Sequence, residues 1–146
     1  MAYKYIWEDP RTFKINKEDG HTFSMPFDSI EQAMSGEESQ YKQSLNGQWK
    51  FYWQRGMENQ PSDFQSPNFD DSKWGEIKVP SVWQTEGYSV PYYYASTFPR
   101  ALSRVKSQIP KIDSTMQEIG FYRRSFTLPE TWDGREIFLT LSLIHI

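Results

Sequence analysis

The chain has 146 residues, enough for one ordinary domain, and an aromatic share of 17% gives it ample core material. A net charge of −3 and a pI near 5.4 exclude a nucleic-acid surface, which needs clustered Lys and Arg on a basic background. With no cysteine, and with His21 and His145 as the two imidazoles, neither a disulfide framework nor a zinc site is expected.

The acid excess is confined to the start. Residues 1–44 hold 5 Lys/Arg against 8 Asp/Glu, whereas residues 45–146 hold 11 of each. Met1–Glu8 carries neither an apolar leader core nor a membrane-spanning run, so the expectation is a soluble cytoplasmic protein without membrane contact. Pro10, Gly20 and Pro26 interrupt any period, which predicts an extended arm over 1–44, anchored by Trp7. Within it, Asp28 and Glu31 have capping-box spacing, Ile30, Ala33 and Met34 form a short apolar side, and Gly36 is a stop, so one or two helical turns are predicted there. His21, alone in an acidic Gly-containing loop, reads as a solvated residue.

Residues 45–140 read as strands. In Leu45–Trp53, Trp49, Phe51 and Trp53 alternate with Gln48, Lys50 and Tyr52, which predicts a strand with one buried face leaving a tight turn at Asn46-Gly47. Arg55–Asp71 is polar and Pro-punctuated, a connection. Asp70 and Asp71 form a turn or cap rather than a catalytic pair, because adjacent residues of an extended chain point to opposite faces.

Val79–Pro99 then packs Trp83, Tyr88 and Tyr92-Tyr93-Tyr94 between the stiff points Pro80, Pro91 and Pro99. Such a segment is either a shaped aromatic surface suited to sugars or the filling of a β-sandwich core. Arg100–Glu118 has little periodicity and is too long for an ordinary connection, so it is a functional loop or an insertion; its basic residues read as solvated. Phe121–Leu128 returns to strand character with Tyr122, Phe126 and Leu128 on one side. Arg124 lands on that same side and is expected to pair with a carboxylate or with carbonyls. Asp133-Gly134 marks a turn, and Glu136–Thr140 begins another strand.

Taken in order, Trp7-Glu8-Asp9-Pro10, Ile15-Asn16-Lys17, Leu45–Phe51, Phe69–Trp74, Val79–Pro99 and Gly120–Phe126 resemble the start of glycoside hydrolase family 2 β-galactosidases, with the match covering nearly all of the chain to residue 140. The resemblance implies an all-β fold: an incomplete jelly-roll or β-sandwich of galactose-binding type over 45–140, behind the extended arm 1–44. It implies retaining hydrolysis of a terminal β-galactoside by two glutamates. In the family those glutamates belong to a barrel domain, so no catalytic residue is expected in this chain, and neither Glu86 nor Glu118 fills the role. The substrate-adjacent positions that carry over are Tyr94, Ala95 and Ser96, with Ala95 standing where the family has a sugar-contacting Asn, and Val82 also departs from the family pattern. Trp7, Trp49, Trp83 and Arg124 are expected to be structural.

Magnesium and sodium are implied for the full-length family member, with no metal ligand in this segment. The implied partners are a β-galactoside substrate, reached through the barrel, and further copies in a homo-oligomer. Leu141–Ile146 breaks the family pattern. The codons CTG TCT CTT ATA CAC ATC would encode it, a string resembling the end of a transposon-based sequencing adapter, so residues 141–146 are expected to be a non-native tail in which His145 is no ligand. Cut at that point, a jelly-roll would keep open edges and an uncovered apolar face, and the isolated chain is expected to aggregate or stay partly unfolded.

Overall fold

The computed structural model describes residues 5–15, 17–91, 114–115 and 117–141. The fold is all-β with little helix. Its centre is a three-stranded antiparallel sheet in the order β2-β1-β3, formed by β1 (Gly47–Arg55), β2 (Gly75–Val79) and β3 (Glu118–Arg123). By backbone contacts the chain divides into two units. One comprises Met1–Ile15 with Asn46–Arg124 and contains the sheet; the other comprises Asn16–Leu45 with Ser125–Ile146.

β1 forms where alternation predicted it, although it starts and ends two residues later than Leu45–Trp53. Asn46-Gly47 is not a turn: Gly47, at φ 131°, already pairs with Val79. That φ is one that L side chains rarely adopt, which favours glycine, and a Cβ would also press on the Arg124 guanidinium at 3.1 Å. β2 was not anticipated. Its Ile77 and Val79 alternate with Glu76 and Lys78 over only five residues between Trp74 and Pro80, too short a period to stand out.

The predicted strand Phe121–Leu128 is displaced toward the N-terminus, to Glu118–Arg123. Past Arg123 the ladder gives way to a side chain, because Arg124 Nη1 donates to the Asn46 carbonyl at 2.9 Å, on the backbone that a longer ladder would follow. Glu136–Thr140 forms no strand either. It has strand composition but no pairing partner among the described residues, and Ile137, Phe138 and Leu139 remain 45–60% exposed. Composition favours a pleated strand, but only a neighbouring backbone satisfies its amides and carbonyls.

A single buried face for β1 also needs correction, since aromatics pack on both. The register places Phe51 opposite Gly75 and Tyr122, Trp49 opposite Ile77, and Trp53 opposite Gly120 on one face. There Phe51 and Ile77 are each 1% exposed. On the other face Tyr52 lies opposite Phe121, itself 6% exposed; Trp74 and Phe64 cover the pair and Phe69 packs on Trp74, with ring centroids 5.2–6.5 Å apart. Lys50 and Glu76, directly opposite one another, add a cross-strand ion pair at 3.4 Å.

The first face depends on missing side chains. A Cβ on Gly120 would stand 2.7 Å from the rings of both Phe51 and Trp83, and one on Gly75 would stand 2.5 Å from the Tyr88 hydroxyl. Gly120→Ala is therefore expected to cost about 1–3 kcal/mol through overpacking, read as a lower urea midpoint followed by tryptophan fluorescence.

In the second unit the helix α1 (Ile30–Ser35) forms within the predicted stretch and stops at Gly36 in the left-handed conformation. Its cap is Ser29, not Asp28. The Ser29 side chain accepts from the Gln32 amide at 3.2 Å, and Gln32 Oε1 reaches back to the Asp28 amide at 3.1 Å. Asp28 does other work, accepting from Gln40 Nε2 and from the Tyr41 hydroxyl. That second bond is the main reason the Tyr41 hydroxyl is pushed above its ordinary pKa. Arg135 lies 4.1 Å over the Tyr41 ring, and Trp132 Nε1 donates to the Gln40 carbonyl at 3.1 Å, joining this segment to the turn that ends at Gly134. His21 is exposed and bonds the Asp19 carbonyl through Nδ1 at 2.9 Å.

Candidate functional site

The first half of the aromatic segment, residues 80–91, is a loop after β2 folded against the first sheet face. Its path is local chemistry: the Trp83 carbonyl accepts from the amides of Glu86 and Tyr88 at 3.2 and 2.9 Å, while Val82 accepts from the Thr85 amide and hydroxyl at 2.9 and 2.7 Å. Gly87, at φ 89°, turns the chain in a conformation that a side chain would strain. Trp83 and Tyr88 consequently share one side and bracket Phe51, with centroids 6.3 and 4.7 Å from its ring. The Val79–Pro80 peptide leading into the loop is cis.

The loop is then pinned at its far end. Ser89 Oγ lies 2.7 Å from each carboxylate oxygen of Glu118, the first residue of β3. One hydroxyl proton is thus shared between two acceptors across a separation of 29 residues. The returning chain is held as well, with the Gly56 amide donating to the Gln117 carbonyl at 2.7 Å and the Met57 amide to the Ser114 carbonyl at 2.8 Å.

Of the substrate-adjacent positions expected from sequence, Tyr94, Ala95 and Ser96 lie outside the described residues. Trp83 caps Phe51, as described. Trp49 is half-buried beneath the Arg124 guanidinium, 5.9 Å from its ring centroid. Trp7 is 42% exposed and stacks on Tyr5 at 4.6 Å; in that turn the buried side chain is Glu8, at 8% exposure.

The carboxylates around the sheet have structural tasks. Asp70 accepts from the Ser72 amide at 3.0 Å, and hydrogen bonds from Ser72 hold its carboxyl below the ordinary value. Asp71 pairs with Arg123 at 2.7 Å. Arg123 also donates to the carbonyls of Phe64 and Ser66, the latter at 3.0 Å, and lies 5.2 Å over the Phe69 ring. This clamp was not found from sequence, where Arg124 attracted attention by standing on the apolar side of β3. The available signal was the opposite alternation: Arg123 shares the face of Phe121 and Tyr52, so it too is a charge among aromatics. Among the described residues no three His, Asp or Glu side chains gather as metal ligands. The described part of the first face is thus lined by aromatic rings, and Asp70, Asp71 and Glu118 each hold a hydrogen-bonded or ionic partner.

Comparison with known proteins accords with this geometry. A family profile described as "Glycosyl hydrolases family 2, sugar binding domain" matches residues 42–144. The chain is 31% identical over 134 residues to a beta-galactosidase of Priestia megaterium, covering 90% of this chain and 13% of that protein. It is 33% identical over 130 residues to a beta-galactosidase of Psychromonas ingrahamii, covering 89% of this chain and 12% of that protein. To a beta-galactosidase of Photobacterium profundum it is 36% identical over 124 residues, covering 85% and 11% respectively. The chain thus spans about an eighth of the length of these curated relatives. Among the described residues no helix is long and apolar enough to cross a membrane.

Proposed function

The chain belongs to glycosyl hydrolase family 2, within that family's sugar binding domain, and from that premise we propose that it is the opening segment of a cytoplasmic β-galactosidase that hydrolyses terminal non-reducing β-D-galactosides of the lactose type with retention. The observation that carries this reading is the pairing of the family match over residues 42–144 with relatives named beta-galactosidase that align with up to 90% of the chain.

In this reading the segment supplies a wall of the galactoside subsite and contact surface for a homo-oligomer, and the chemistry lies elsewhere. Retention requires two carboxyl groups about 5–5.5 Å apart, one attacking the anomeric carbon and the other protonating the leaving oxygen. Asp70, Asp71 and Glu118 each hold a structural partner instead, which supports placing both catalytic glutamates in a later domain. In the full-length protein magnesium and sodium would be held by residues of later segments.

The test is to express the full-length protein from the source gene and follow hydrolysis of a β-galactoside by proton NMR. β-Galactose is expected as the first product, and first release of the α anomer would refute retention. The 146-residue chain alone is expected to show no turnover. A saturable change in its tryptophan fluorescence with galactose or lactose, together with an inactive full-length protein, would favour a non-catalytic carbohydrate-binding module.

A further inference from the structure

The sequence holds a single Asn-Gly step, Asn46-Gly47, and it does not make the turn its composition suggests. Gly47 instead opens β1, and its pairing with Val79 is the last rung of the β1–β2 ladder. Asn46 stands just outside that ladder and is exposed. Glycine carries no side chain to hinder its amide nitrogen from approaching the Asn carboxamide carbon, and the end of a ladder opens more readily than its centre. What distinguishes this step from any other of its kind is Arg124. Its Nη1 donates to the Asn46 carbonyl at 2.9 Å and stands 3.1 Å from where a Cβ on Gly47 would be. The Trp49 ring backs the guanidinium, 5.9 Å from its centroid. The Asn46 carbonyl and the Gly47 N–H belong to one resonance-coupled peptide unit. When that N–H loses its proton, the charge moves onto the oxygen that Arg124 contacts, and a cation bonded there stabilises the anion more than the neutral peptide.

We propose that Asn46 is a site of spontaneous deamidation promoted by Arg124. The Gly47 nitrogen gives its proton to hydroxide and its electron pair forms a bond to Asn46 Cγ. The Cγ–Nδ2 bond then breaks, the departing nitrogen takes a proton from water and leaves as ammonia, and a succinimide remains. Water opens that ring at one or the other carbonyl, giving aspartate or isoaspartate, so the net change is one water consumed and one ammonia released. Either product places a new carboxylate beside Arg124. Isoaspartate also adds a methylene to the main chain immediately before the pairing of Gly47 with Val79.

The experiment incubates the full-length protein and its Arg124→Ala variant at mildly alkaline pH, folded and in urea. Residue 46 is followed by peptide mapping with isoaspartate-specific carboxyl methylation. In urea Arg124, 78 residues away in sequence, no longer meets Asn46, and the two proteins are expected to react at the same rate. Folded, the wild type is expected to deamidate at least as fast as in urea, and Arg124→Ala about threefold to tenfold more slowly than the wild type. The sign is diagnostic. Loss of a merely structural contact lets the end of the ladder open more often and speeds the reaction, whereas loss of the cation's effect on the peptide slows it. A folded Arg124→Ala that reacts as fast as the wild type, or faster, would overturn the proposal. So would a wild type about tenfold or more slower folded than in urea, because the ladder would then protect the step whatever Arg124 does.

Discussion

Phe51→Ala is expected to melt the sheet rather than loosen it. Phe51 is 1% exposed on the central strand, and its ring meets Tyr88 and Tyr122 at 4.7 Å and Trp83 at 6.3 Å. Truncating a buried Phe costs about 3–5 kcal/mol, the lost transfer energy being compounded by a cavity that surrounding rings cannot close. That is a large share of the roughly 5–15 kcal/mol that holds an ordinary domain together. Here the reserve is thin, because the fully buried apolar side chains among the described residues are Phe51 and Ile77. Amide hydrogen exchange across Gly47–Arg55 provides the measurement, in this chain or in any longer form of it. A loss of about 3 kcal/mol appears as roughly a hundredfold fall in protection. Protection within about threefold of the parent would show that the loop rings, rather than Phe51, hold the face.

Arg123→Ala is expected to do comparable damage on the opposite face. The Arg123 and Asp71 side chains are 16% and 28% exposed, and the guanidinium also serves the carbonyls of Phe64 and Ser66. Removing the cation strands a half-buried carboxylate and two carbonyls, a situation that costs about 3–5 kcal/mol when burial is full and somewhat less with this exposure. Arg124→Ala should be milder, about 1 kcal/mol, since the bond from Arg124 to the Asn46 carbonyl lies at an exposed position. The ordering of the two midpoints in urea checks the assignment, and equal effects would contradict it. A double-mutant cycle with Asp71→Asn separates the ion pair from the carbonyl contacts, with a coupling of about 1–3 kcal/mol expected for groups in direct contact.

Neighbouring arginines with such different fates show where sequence reading reached its limit. Arg124 was singled out because it stood on the side of Tyr122, Phe126 and Leu128, and it does find a carbonyl. Arg123 stands on the other side with Ser125 and Thr127, where the sequence gives little apolar signal, yet Phe64 and Trp74 fold back over Tyr52 and Phe121 on that face, with Phe69 against Trp74. The rings come from a stretch that reads as mere connection, and nothing in its polar, Pro-punctuated sequence says which side of the sheet it will cover.

What the sequence determined by itself is local or motif-like: the alternation that makes β1, the turns at Asp70–Trp74 and Asp133-Gly134, the short helix ending at Gly36, and the family signature in its ordered motifs. Each depends on residues a few positions apart, where backbone sterics and side-chain to backbone hydrogen bonds decide the outcome. Tertiary structure alone decided the rest. β2 exists because β1 offers it an edge, whereas Glu136–Thr140, richer in strand-forming residues, has no such edge among the described residues and stays unpaired. Glu118, which the sequence reading leaves outside the catalytic role, has its bond to Ser89 only because the loop is laid on the sheet. A pleated strand and a buried charge both need partners distant in sequence, and the chain's local pattern does not encode which partner arrives.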